Sequence, residues 1–101
     1  MKTDRELLEL AAKAAGIDWF DEPALLAGKG LHMKSGPFWN PLTDDGDAFR
    51  LAMRLGFTVE PGRCCHSHYG PVFGEDVLNG DIKSTRRAIV RAAAAIGEAM
   101  Q

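Results

Sequence analysis

The apolar positions of this chain follow two periods, and the switches between them divide it into blocks. Leu7, Leu10, Ala11 and Ala14 recur at helical spacing. Ahead of them stands Thr3-Asp4-Arg5-Glu6, where Thr3 caps and Glu6, three residues on, completes a capping box. Gly16 is placed to stop the turn, so the spacing predicts a helix over 4–15. A second helix is predicted over 44–55. Thr43 or Asp44 caps it, Asp45 and Asp47 face the positive end of the helix dipole, and Gly56 ends it. Ala48, Leu51, Ala52 and Leu55 form its buried stripe, with Phe49 and Met53 beside it. A third helix runs over 84–100 with Ile89, Ala92, Ala93, Ile96 and Met100 on its apolar face. Leu51 and Ile96, both mid-stripe, are expected in the core.

Between the helices the period shortens toward two. The stretches 17–20 (IDWF), 31–34 (LHMK) and 38–39 (FW) read as strands, separated by Gly28, Gly30, Ser35, Gly36 and Pro37. After the second helix, 57–60 (FTVE) and 63–69 (RCCHSHY) read as two strands joined by the tight turn Glu60-Pro61-Gly62. Residues 70–83 hold several chain breakers and read as a loop with a short strand at Val72–Phe73. The resulting order is an α+β domain over 1–101, three helices packed on a small antiparallel sheet in the manner of an α/β/α sandwich.

The third helix also carries small side chains on more than one face, in AIVRAAAAIGEAM. A helix apolar all round is buried all round, and 101 residues offer little to cover a second face. A symmetric homodimer about this helix is therefore expected.

Composition changes this picture little. The 46% apolar and 26% charged content is that of an ordinary globular domain, and a net charge of −2 argues against a general electrostatic grip on nucleic acid. The charged N-terminus lacks the apolar run of an export signal, and no window approaches a membrane span. A cytoplasmic setting, with Cys64 and Cys65 as reduced thiols, is the expectation.

Chemistry-bearing groups crowd once, in CCHSHYG (64–70). In a strand, Cys64, His66 and His68 share a face and offer three zinc-compatible ligands. No C-x-x-C pair or second cluster accompanies them, and His32, the remaining histidine, becomes a fourth ligand only if its strand is a neighbour. No metal and no cofactor is expected. A thiolate nucleophile lacks an orienting carboxylate, and no catalytic residue is assigned. TDDGD resembles a cation loop on sight, but counting from Asp44 puts Gly46 third and Leu55 twelfth, which fails the calcium-loop spacing. A densely capped helix start explains each residue. GKG (28–30) lacks the rest of a dinucleotide fingerprint or P-loop and reads as a turn. Trp19, Phe20, Phe38 and Trp39 read as core and sheet-face packing, with one of each adjacent pair free to be exposed.

The anomaly lies at the start of the third helix. Lys83, Arg86, Arg87 and Arg91 crowd its N-terminal half, where the dipole disfavours a positive charge by roughly 0.3–1 kcal/mol. Either carboxylates at the start of the second helix, Asp44, Asp45 or Asp47, together with Glu75, Asp76 and Asp81 just upstream of the third, form ion pairs with them, or the arginines form a basic edge for a nucleic acid or an acidic partner. In the first case Arg86 is the expected partner of an aspartate.

The stretches FWNPLTDDGDAFRLAMRLGF (38–57) and NGDIKSTRRAIVRAAAAIGEAM (79–100) resemble the two hallmark stretches of the phage ABA sandwich domain family, small proteins of phages and prophages. They cover 42 of the 101 residues. The resemblance implies an α/β/α layered domain of phage or prophage origin, and it brings no catalytic residues with it. The functional expectation is a non-enzymatic accessory protein that binds a host or phage macromolecule. The alternatives are a nucleic-acid binder using Lys83, Arg86, Arg87 and Arg91, and a metal-dependent activity at Cys64, His66 and His68.

Overall fold

The computed structural model describes residues 2–20, 30–60, 63–66, 72–74 and 82–100, with 63–66 and 72–74 described at the level of the backbone. The described residues include three helices: α1 (Asp4–Ala15), α2 (Asp45–Leu55) and α3 (Ile82–Ala99). The strands β1 (Leu31–His32) and β2 (Phe38–Trp39) pair antiparallel, as do β3 (Phe57–Glu60), β4 (Arg63–His66) and β5 (Val72–Gly74) in the order β3-β4-β5. The chain is an α+β fold with its helices packed on small antiparallel sheets. The strands form two sheets rather than one.

Local signals account for the helix ends. The Thr3 backbone N–H donates to Glu6 Oε1 at 3.2 Å, and the Thr3 hydroxyl accepts from the Glu6 N–H at 3.1 Å, a complete capping box. Asp44 rather than Thr43 caps α2, accepting from the Asp47 N–H at 2.8 Å. Gly16 and Gly56 close α1 and α2 in the left-handed conformation. The third helix begins at Ile82, two residues before its expected start, because the stretch read as loop already carries helical spacing at Ile82 and Arg86.

The strand expectations hold at 57–60 and 38–39 and shorten elsewhere. Residues 17–20 do not form a strand; they make one antiparallel bridge, Trp19 to Met33, flanked by the bonds from Phe20 N–H to the His32 carbonyl and Lys34 N–H to the Asp18 carbonyl. Residues 31–34 keep strand geometry over Leu31–His32 alone, since the chain turns at Met33–Gly36. In the β1–β2 pair, Leu31 opposes Trp39 and both are buried, while His32 opposes Phe38 on the other side. Gly30, the described residue of the GKG turn, leads into this pair with a positive φ, and a Cβ on it would lie 2.3 Å from the Trp39 carbonyl oxygen. Residues 67–69, the remainder of the expected CCHSHY strand, lie outside the described residues.

α3 is the centre of the packing. It contacts α1, α2 and the β3-β4-β5 sheet, and Ala88, Ile89, Val90, Ala92, Ala93 and Ala94 are buried on it. Consecutive buried residues on a helix mean that it is covered on more than one side. Against α1 the approach is tight at Gly97, where an added Cβ would sit 1.9 Å from the Leu10 carbonyl oxygen. A close neighbour that AIVRAAAAIGEAM calls for is α1 of the same chain. Leu51 is buried as expected, whereas Ile96 is half-buried at the edge of the core because α1 crosses nearer Gly97. No helix among the described residues is long and apolar enough to cross a membrane.

Three outcomes follow from this packing. Gly97→Ala should lower stability by about 1–3 kcal/mol in denaturant unfolding, since the clash is with backbone, although Ala for Gly in a helix otherwise gains up to about 1 kcal/mol. Leu51→Ala should cost about 2–5 kcal/mol and Ile96→Ala less. The third outcome concerns pH. The Thr3 N–H, and after it the Thr3 hydroxyl, hold the Glu6 carboxyl below its ordinary range. Its contribution to stability is therefore present above that range and lost as the pH falls through the lowered value. Glu6→Gln should flatten the acid limb of a urea-midpoint series against pH.

Candidate functional site

The WNPLTDDGD run folds into a brace for α2. Trp39 and Pro41 are buried. Asn40 turns the chain: its side-chain oxygen accepts from the Leu42 N–H at 3.1 Å, and its carbonyl accepts from the Thr43 and Asp44 N–H groups. Asp47 reaches back to accept from the Asn40 N–H at 2.9 Å and from Arg50 Nη2 at 2.8 Å. Asp44 and Asp47 therefore serve the cap and the loop, as a helix start requires.

The arginines are engaged by carboxylates of the other two helix starts. Arg86 Nη1 lies 2.5 Å from Asp45 Oδ1, and Arg86 Nε donates to the Leu42 carbonyl at 2.8 Å. Arg87 Nη1 lies 3.0 Å from Asp4 Oδ1. Arg91 is half-buried and Lys83 exposed. The pairing expected between Arg86 and an aspartate of α2 is present, and Asp4 of α1 joins it, a partner that sequence spacing did not mark. Glu75, Asp76 and Asp81 lie outside the described residues. The Arg86 side chain is 19% exposed and that of Asp45 68%, so this is a surface-edge pair with one buried end.

The Cys/His stretch is only partly within view. Arg63–His66 form β4, where Cys64 opposes Val59 and Phe73 and His66 opposes Phe57 in backbone register. His68 lies outside the described residues. His32 does not stand beside β4 in a sheet: it belongs to the β1–β2 pair, its ring stacked 4.8 Å from that of Phe38 and tilted at 59° to that of Phe20, 5.0 Å away. Among the described residues no three His, Cys, Asp or Glu side chains group as metal ligands.

A different feature emerges from the assembly. Phe49, Met53 and Ile82 are 63%, 54% and 62% exposed, and Val59 is also exposed. All four line one groove of about 640 Å³ between α2, β3 and the first turns of α3. Ala48 and Ala52, both buried, lie between the larger side chains, and Asp45, Glu60, Thr85 and Arg86 supply its polar members. Phe49 and Met53 were expected beside the buried stripe of α2. They face solvent because α3 and β3 cover only the Ala48, Leu51 and Ala52 side. The sequence signal is the width of the apolar arc on α2, which exceeds what one packed face needs. Val59 and Ile82 join it only through tertiary packing.

No protein family, curated protein or solved structure matches the chain.

A double-mutant cycle between Arg86 and Asp45 should give a coupling energy of about 0.2–1 kcal/mol, the scale of a partly exposed pair. Arg86→Ala alone should cost more than Asp45→Ala alone, because it also leaves the Leu42 carbonyl without its donor. Equal costs would show that the Leu42 bond contributes nothing.

Proposed function

We propose that this chain is a small, non-enzymatic phage or prophage accessory protein that binds a host or phage protein through the groove between α2, β3 and α3. The observation that carries this reading is the gathering of Phe49, Met53, Val59 and Ile82 in one concavity. Scattered exposed apolar side chains need no explanation, whereas a contiguous patch in a groove marks an interaction surface. Phage origin is supported by the two stretches at 38–57 and 79–100. The basic start of α3 supports a nucleic-acid role less well, because Arg86 and Arg87 are already engaged by Asp45 and Asp4.

The test compares wild-type protein with a Phe49→Asp, Ile82→Asp variant, checked for unchanged helicity by circular dichroism. Proteins captured from a bacterial lysate by wild type are identified, purified and titrated against both. A purified partner that binds wild type and loses at least about tenfold in affinity with the variant, a difference of one decade in Kd, supports the proposal. Equal binding by the variant overturns the groove as the site. Salt-dependent shifting of a duplex oligonucleotide, lost on neutralising Arg91 and Lys83, would put nucleic acid in place of a protein partner.

A further inference from the structure

We draw no further inference here: the strongest candidate, the apolar groove between α2, β3 and the first turns of α3, carries nothing beyond the reading above, because its charged members Asp45 and Arg86 already pair with each other and nothing in the structure shows what kind of partner covers it.

Discussion

The contact between Gly97 and the Leu10 carbonyl sets the position of the other elements. With 1.9 Å between that oxygen and any Cβ at position 97, α1 and α3 meet with backbone touching backbone. The residues around the crossing are of a size that permits it: Ala11, Ala12 and Ala15 on α1, Ala93 and Ala94 on α3, all buried. Alanine loses no side-chain rotamer freedom on burial, and close approach gains dispersion contacts over the whole crossing. Around the seam, Lys13 Nζ donates to the Met100 carbonyl and Lys2 pairs with Glu98. The sheet and α2 then take the remaining sides of α3.

Electrostatics fixes how the helix starts are arranged more than how stable they are. α3 has no acidic residue in its own first turn, and its arginines stand where the dipole opposes them. The first-turn aspartates of the other two helices supply the missing charge, Asp4 to Arg87 and Asp45 to Arg86. Each of these pairs has an exposed carboxylate, so each contributes little to stability. Their geometric effect is to tie the starts of α1 and α2, distant in sequence, to the first half of α3.

What was legible in the sequence was what short-range physics controls. The capping box at Thr3 and Glu6, the Asp44 cap and the glycines at 16 and 56 place α1 and α2 to within a residue. Alternation with a breaker on each side places β3 without error. The ends fail where the cause is non-local. Residues 17–20 alternate like a strand, yet their partner turns away after Met33 and leaves a single bridge. The arginine cluster was legible as a charge in need of an answer, and Asp45 was within the set considered, but Asp4 enters only because α1 packs on α3. The groove was illegible for the same reason. Phe49 and Met53 read as core neighbours by period, and only the placement of α3 decides which side of α2 is covered.

That placement also explains why the groove stays open. α1 meets α3 at backbone contact, whereas α2 and α3 are held apart at their starts by the length of an arginine. The Arg86 guanidinium stands between them, bonded to the Leu42 carbonyl just ahead of α2 and to Asp45 in its first turn. Closer approach of the two helices would bury more of Phe49 and Ile82, which line the groove from α2 and α3. Burial of each large apolar side chain is worth about 1.5–3 kcal/mol. Closer approach would, however, displace the guanidinium from both acceptors and leave the Leu42 carbonyl without its donor. The small floor of Ala48 and Ala52 therefore stays vacant between larger walls. Arg86, read from sequence as a candidate ligand contact, instead bridges the start of α3 to Leu42 and Asp45 at the start of α2, on the edge of the groove.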